Sequence, residues 1–268
     1  GVNINKYLRK KTNLSELEII KLSYDIQSGS YVKNYNYFKS KKVLDPVIKE
    51  INSTKYKSLI DFGCGELTNF YTIIKNIKVK NKTFFAYDLS FSRIVKGKQF
   101  LDNKKKRIQL KLFSNNSIDI PIPDNSIDII TSCHALEPNK KNVFKILKEL
   151  WRISKKKLIL LEPNSKLGNK LIKKRFKKQN YILNLEEKIS KITSNYKIIH
   201  NKFHFNPLNP SSIFIIEKNS YKSKKFNFLN PADKNDVLEK KLNYFYSKKT
   251  GQIFPIVDDI IIFNKKEL

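Results

Sequence analysis

The stretch Leu59-Ile60-Asp61-Phe62-Gly63-Cys64-Gly65-Glu66 decides the fold of this chain. A short apolar run contains an acid near its end and is followed by two glycines separated by one residue, as in a strand that runs into a tight turn. Glycines in such a turn let the backbone approach a ligand where a Cβ would collide. The carboxylate beside the turn suits a cationic ligand group better than a pyrophosphate. Thr68 stands where a dinucleotide-binding motif has its third glycine.

A second strand signal follows about twenty residues further on, the usual spacing in a βαβ unit. Residues 83–87 are mostly apolar or aromatic, and Asp88 follows them directly. Residues 69–78 between the two strands have apolar side chains at helical spacing. An acid at the end of the second strand is placed to accept hydrogen bonds from ribose hydroxyls. Strand, glycine turn, helix, strand and acid therefore predict a nucleoside-binding βαβ unit.

Four stretches in series resemble the class I S-adenosylmethionine-dependent methyltransferases. Residues 61–65 are similar to the glycine-rich first motif of that family, and residues 87–90 to its ribose-binding second motif. Residues 120–130 resemble the proline turn that leads into the fourth strand, and residues 147–153 the helix before the fifth. The resemblance extends over residues 55–218.

The resemblance implies an α/β fold, with a Rossmann-like, doubly wound, seven-stranded sheet, and S-adenosylmethionine as cofactor. It also implies a set of candidate cofactor-binding residues, namely Asp61, Gly63, Cys64, Gly65, Asp88, Leu89, Asn116, Ser117 and Cys133. Two positions depart from the family pattern. Leu67 stands at a frequent third glycine, and Asn116 at an aspartate that contacts adenine. An amide oxygen can still accept a hydrogen bond.

The chain is predicted to divide into three parts. These are an N-terminal helical cap (1–54), a methyltransferase domain (55–220, with a helical insertion at about 165–192) and a C-terminal β extension (221–268). Residues 198–205 and 212–218 are predicted as the last two antiparallel strands of the domain. The extension weakly resembles a zinc-ribbon hairpin in which Ser247 replaces a cysteine, which implies a hairpin without metal.

The loop after the predicted fourth strand carries the candidate catalytic residues. His134 is the candidate general base, because an ordinary histidine titrates near neutrality. The alternative is that His134 only packs against the cofactor. Glu137 would orient His134, bind substrate or favour the N-terminus of a helix predicted at 139–153. Tyr24 and Tyr31 in the cap are candidates for substrate binding, with core packing as the alternative.

Composition gives expectations about partners and location. The formal net charge is +30, which favours an anionic partner such as a phosphorylated small molecule, RNA or an anionic membrane surface. Each lysine-rich run taken alone also fits a solvated helix face. The chain lacks an apolar run of transmembrane length, its first residues are charged, and it has two cysteines and no Cys/His cluster. A cytoplasmic enzyme without a metal centre is expected, with Cys64 and Cys133 lining the pocket as free thiols.

Three functions compete at this point. The first is an O- or N-methyltransferase acting on an anionic small molecule, such as a phosphorylated or nucleotide-linked sugar of surface-glycan biosynthesis. The second is an RNA methyltransferase, which the charge allows although the sequence has no aromatic-basic RNA motif. The third is a non-catalytic binding module that keeps the fold.

Overall fold

The first strand, β1 (Ser58–Phe62), lies in the middle of the sheet, because its apolar side chains are buried on both faces. It pairs in parallel with β2 (Thr83–Asp88) on one side and β4 (Ile127–Cys133) on the other. The computed structural model describes residues 4–105, 108–116, 118–178, 181–218 and 226–264.

The other elements follow in chain order. The further strands are β3 (Leu110–Ser114), β5 (Ser154–Pro163), β6 (Tyr196–His200), β7 (Ser211–Glu217), β8 (Leu229–Asn230), β9 (Asp233–Val237), β10 (Glu239–Lys240), β11 (Tyr244–Tyr246), β12 (Ile253–Val257) and β13 (Ile260–Ile262). The helices are α1 (Ile4–Lys11), α2 (Glu16–Ile26), α3 (Ser30–Lys33), α4 (Tyr37–Asn52), α5 (Thr68–Lys75), α6 (Phe91–Asn103), α7 (Val143–Ile153), α8 (Lys170–Lys178) and α9 (Leu185–Ser190).

The sheet confirms the predicted doubly wound α/β fold. Its central strands run in the order β3-β2-β1-β4-β5-β7-β6, with β7 antiparallel to its neighbours β5 and β6. One apolar core contains buried side chains of α4, α5 and α6, and the other those of α7 and α9. The strand order reverses between β1 and β4. In open α/β sheets, ligands bind at the carboxyl ends of the strands at such a reversal.

The sheet is longer than the seven strands predicted from the sequence. Within the described residues it has eleven strands, because the C-terminal extension adds β13, β12, β11 and β10 beyond β3. Strand β13 pairs in parallel with β3, from Ile260 opposite Leu112 to Ile262 opposite Ser114. This pairing satisfies the backbone groups of β3, which would otherwise lie unpaired at the edge of the sheet. Phe228 and Phe263 also pack edge-to-face on Phe113 of β3.

Ser247 is the centre of a buried polar cluster in the extension. Its hydroxyl donates to Asp236 Oδ2 at 2.5 Å and accepts from the Thr250 backbone amide at 2.9 Å. The Asn230 side chain donates to the same Asp236 oxygen at 3.0 Å. At the position where the zinc-ribbon pattern would carry a cysteine, hydrogen bonds thus connect the turn after β11 to β8 and β9.

Two element boundaries differ from the sequence-based prediction. The strand predicted at 198–205 ends at His200, because Asn201 turns toward α4 and donates to the Val43 carbonyl at 3.0 Å. His204 therefore lies in a loop and not in a strand. The helix predicted from residue 139 begins at Val143, because a short 3₁₀ turn, Glu137–Asn139, precedes it and contains Pro138.

Four helices, α1 to α4, form the N-terminal part of the described chain. Helix α2 begins with a capping box, in which Ser15 and Glu18 each accept a hydrogen bond from the other's backbone amide. In the parts of the chain that the structure describes, no helix is long and apolar enough to cross a membrane.

Candidate active site

A cavity of about 500 Å³ lies at the carboxyl ends of β1, β2 and β4, between the sheet and the N-terminal helices. Its size is in the usual range for small-molecule sites. Most of the residues predicted for the site line this cavity: Tyr24, Tyr31, Gly63, Cys64, Gly65, Asp88, Leu89, Cys133, His134 and Glu137. The structure therefore brings the candidate cofactor residues and the candidate catalytic residues into one space.

The turn after β1 owes its shape to three residues with positive φ. Gly63 has φ +63°, Gly65 has +52° and Leu67 has +57°. A Cβ on Gly63 would lie 2.3 Å from the Ala135 Cβ, so this glycine lets the β4 loop approach closely. A Cβ on Gly65 would meet the guanidinium of Arg93 at 2.6 Å. The second glycine thus makes room for the Arg93 guanidinium, and both residues line the cavity.

Asp88 is fixed beside this turn by two backbone amides. Its Oδ2 accepts from the Gly65 amide at 2.8 Å and its Oδ1 from the Ser90 amide at 2.9 Å. A carboxylate can accept about four hydrogen bonds, so lone pairs remain for a ligand. The glycine turn and the oriented carboxylate fit the backbone-plus-ribose contacts that a nucleoside cofactor needs.

Among the described residues, two predicted cofactor residues, Asp61 and Asn116, do not line the cavity. Asp61 is buried beneath the turn, where its Oδ1 accepts from the Thr131 hydroxyl at 2.7 Å. Burial, reinforced by the charge of Asp88, raises the pKa of Asp61 to about 7 despite that hydrogen bond. Asn116 accepts from two backbone amides of its own loop and lines a second cavity, of about 810 Å³, together with Leu89. Ser117 lies outside the described residues.

Both cysteines are free thiols that line the cavity. Burial raises the pKa of Cys64 and of Cys133 well above the ordinary value. The thiols therefore stay neutral near pH 7 and contribute shape rather than charge.

His134 lies in the loop after β4 with a left-handed backbone, φ +55°. Its Nδ1 is 3.5 Å from Glu137 Oε2, and that oxygen also accepts from the Asn209 side-chain amide at 2.8 Å. Its Nε2 is buried and has no partner among the described residues. A carboxylate beside Nδ1 favours the tautomer with the proton there, which leaves Nε2 as the basic atom.

The protonation of His134 depends on two carboxylates. Burial lowers the pKa of His134, but the hydrogen bond and charge of Glu137 and the charge of Glu162 outweigh it, so the pKa is raised. Glu162 also holds the loop, because it accepts from the Ser132 hydroxyl at 2.5 Å and from the Ala135 and Leu136 amides. The Phe205 ring packs edge-to-face on the imidazole, with ring centroids 5.9 Å apart.

The cap closes over the cavity through Tyr24, Tyr31 and a buried cation. The Arg93 guanidinium lies 4.9 Å from the Tyr24 ring centroid and 4.7 Å from that of Tyr31. Burial raises the pKa of Tyr24 well above its ordinary value, so this hydroxyl stays protonated at neutral pH and is not a base. Glu66 accepts from the Gly29 and Val32 amides at 3.0 and 2.7 Å and so fastens the cap to the glycine turn.

Sequence reasoning missed several residues of the site. Glu66 and Glu162 were detectable as acids inside or beside apolar stretches, a sign of a buried carboxylate with specific partners. Arg93 and Arg175, which also line the cavity, had no such local signal. Each belongs to a helix with other basic residues, and only the packed structure shows which cation faces the cavity.

Comparisons with known proteins agree with this architecture. A family model described as "Methyltransferase domain" matches residues 60–161. A demethylmenaquinone methyltransferase of Geobacillus sp. (strain WCH70) is 26% identical over 120 residues, which is 44% of this chain and 50% of the relative. The chain thus spans about half the length of the curated relatives it matches.

Two solved structures share the fold over most of this chain. Magnesium protoporphyrin IX methyltransferase of Synechocystis, with bound S-adenosylmethionine, has a TM-score of 0.55 at 12% identity and covers 78% of this chain and 99% of its own. A putative S-adenosylmethionine-dependent methyltransferase of Methanococcus maripaludis has a TM-score of 0.53 at 16% identity. The match covers 79% of this chain and 98% of that protein. The family model thus identifies a methyltransferase domain over residues 60–161, and the two likenesses show that the chain shares the fold of these S-adenosylmethionine-dependent enzymes.

Proposed function

We propose that the protein transfers a methyl group from S-adenosylmethionine to an oxygen or nitrogen of an anionic small molecule. One observation carries the proposal: a single cavity joins the glycine turn and Asp88 to the unpartnered Nε2 of His134. The cofactor residues and a base thus line one cavity, as a direct transfer between two bound molecules requires.

The cofactor supplies an electrophilic methyl group, and the chain supplies position and a proton acceptor. The glycine turn and Asp88 would hold the nucleoside, and Tyr24 and Tyr31 would line the cavity from the side of the cap. His134 would take the proton of the acceptor at Nε2, while Glu137 stabilises the resulting imidazolium at Nδ1.

The proposed acceptor class is a phosphorylated or nucleotide-linked sugar, of the kind used in surface-glycan biosynthesis. The net charge of +30 supports an anionic acceptor, because a basic surface attracts anions and raises their local concentration. Incubation with a labelled methyl donor and a set of nucleotide sugars tests this class, and label found only in other compounds would contradict it.

Cofactor binding can be tested at Asp88. The Asp88→Ala variant should bind S-adenosylhomocysteine about 1–3 kcal/mol more weakly, because the ribose contacts and the restraint on the Gly65 amide are both lost. Calorimetric titration measures the difference. Asp102→Ala, which removes an exposed carboxylate from the other end of α6, is the matched control and should bind as the unchanged protein does. Equal affinity of the two variants would contradict the ribose assignment.

RNA is the second candidate acceptor, and the same charge of +30 favours it. If RNA were bound, affinity should fall steeply with salt, with a log–log slope of about −0.7 per phosphate contact on single strands. A small acceptor meets few charges, so we expect a shallow slope. Binding measured between low and physiological salt distinguishes the two acceptors. A steep slope together with methyl incorporation into bulk RNA would show that RNA is the acceptor and would contradict the proposed small molecule.

A further inference from the structure

Among the described residues, two guanidinium groups line the cavity, those of Arg93 and Arg175, and they differ in the negative charges that lie near them. Arg93 is 3.7 Å from Glu66, lies against two tyrosine rings and feels the charge of Asp88. Arg175 has no ion pair in the described ranges, and the Nε atoms of both arginines are buried there without a hydrogen-bond partner. A buried donor without an acceptor costs free energy until a ligand satisfies it. Because Glu66 and Asp88 already offset the charge of Arg93, an anion that enters the cavity would bind at Arg175 in preference to Arg93.

The position of Arg175 is set by its neighbours in the insertion. Phe176, the next residue, is fully buried and packs edge-to-face on Tyr181, with ring centroids 5.6 Å apart. The Tyr181 amide donates to the Phe176 carbonyl at 2.9 Å, which fixes Tyr181 beside the last turn of α8. These contacts hold the backbone that carries Arg175 at the cavity wall.

Tyr181 lines the same cavity as Arg175 and the proposed base, His134. Burial raises the pKa of Tyr181, the charge of Glu137 raises it further, and the charge of Arg175 opposes the rise. Tyr181, Arg175 and Glu137 all line the same cavity. It stays protonated at neutral pH, so it can donate to an anion that Arg175 holds.

The helix that carries Arg175 is strongly basic. Six of the nine residues of α8 are cations and none is an acid: Lys170, Lys173, Lys174, Arg175, Lys177 and Lys178. The five lysines raise the local potential, while the guanidinium lines the cavity itself. A fork of N–H donors matches the oxygens of a phosphate, and the surrounding charge suits a group that carries more than one negative charge.

We propose that Arg175, with the Tyr181 hydroxyl, binds a phosphate group of the methyl acceptor while the acceptor nucleophile lies at His134. This inference rests on the proposed function and assigns the insertion a role in substrate recognition. The sugar or other scaffold would then span the cavity between Arg175 and His134.

Calorimetry with inorganic pyrophosphate, at physiological salt and with saturating S-adenosylhomocysteine, tests the subsite. The Arg175→Gln variant should bind pyrophosphate about 10–100-fold more weakly, as expected when charged hydrogen bonds are lost. Arg175→Lys should lie in between, because an ammonium keeps the charge and loses the fork. Lys174→Gln removes the same charge from an exposed neighbour on α8 and should change the affinity less than about threefold.

The outcomes separate this inference from the proposed function. Equal loss in the Arg175 and Lys174 variants would show only diffuse attraction to α8 and would overturn the subsite. Loss of S-adenosylhomocysteine affinity in Arg175→Gln, with pyrophosphate binding intact, would assign Arg175 to the cofactor and also overturn it. Failure of the unchanged protein to bind S-adenosylhomocysteine would reject the proposed function. Titration without that ligand would still report whether pyrophosphate binding depends on Arg175.

Discussion

Replacing His134 by alanine is expected to lower the turnover of methyl transfer by about 10²–10⁴-fold, the usual contribution of a positioned general base. The affinity for S-adenosylhomocysteine should stay nearly unchanged, because the glycine turn and Asp88 do not depend on the imidazole. Single-turnover kinetics measures the first quantity and calorimetry the second. His204→Ala is the matched control, since His204 hydrogen-bonds Ser211 outside the cavity. Turnover equal to that of this control would show that His134 only packs in the cavity.

The pH profile distinguishes a base from a packing residue. Only the neutral imidazole accepts a proton, so turnover should rise with pH through the raised pKa of His134, above its ordinary value of 6.5. Glu137→Gln removes a negative charge that raises this pKa and leaves the burial that lowers it. The midpoint of the profile should therefore move to lower pH in that variant. An unmoved midpoint would contradict the role of Glu137 as a positioning residue for His134.

The cofactor half of the site could be predicted because its signals are local in sequence. The glycine turn, the acid after β2 and the loop after β4 each follow a strand, and parallel strands end at one edge of the sheet. Asp61 shows the limit of this reasoning. Its place near the end of β1 suggested a ligand contact, yet its side chain points to Thr131 on the neighbouring strand and not into the cavity.

Contacts between distant segments could not be predicted from sequence pattern. Glu66 accepts hydrogen bonds from the backbone amides of Gly29 and Val32, which lie 37 and 34 residues away in the sequence. No sequence pattern near Glu66 or in the cap indicates that these groups pair. The C-terminal hairpin was recognisable, but its parallel pairing with β3 depends on which edge of the sheet is free. The charge of the insertion was evident, whereas the packing of Phe176 decides that Arg175 lines the cavity.

Replacing Glu66 by alanine is expected to release the cap from the glycine turn. The carboxylate is fully buried and gives both oxygens to the cap, one to the Gly29 amide and one to the Val32 amide. Its loss leaves both amides without their acceptor and removes the carboxylate that lies 3.7 Å from the Arg93 guanidinium. A buried donor left without its acceptor costs about 1–3 kcal/mol, so the loss of both amide contacts should loosen this part of the cap.

Hydrogen exchange of the Gly29 and Val32 amides measures this release directly, and both should exchange faster in Glu66→Ala. Affinity for S-adenosylhomocysteine should fall in the same variant, because Tyr24 and Tyr31 line the cavity from the cap. Glu187→Ala is the matched control, since this exposed carboxylate pairs with Lys191 on the surface. Asp25 still holds α2 through the Ser90 and Ser92 hydroxyls, so α2 should keep its protection while the amides near Gly29 lose theirs. Unchanged exchange at Gly29 and Val32 would show that other contacts hold the cap and that Glu66 does not.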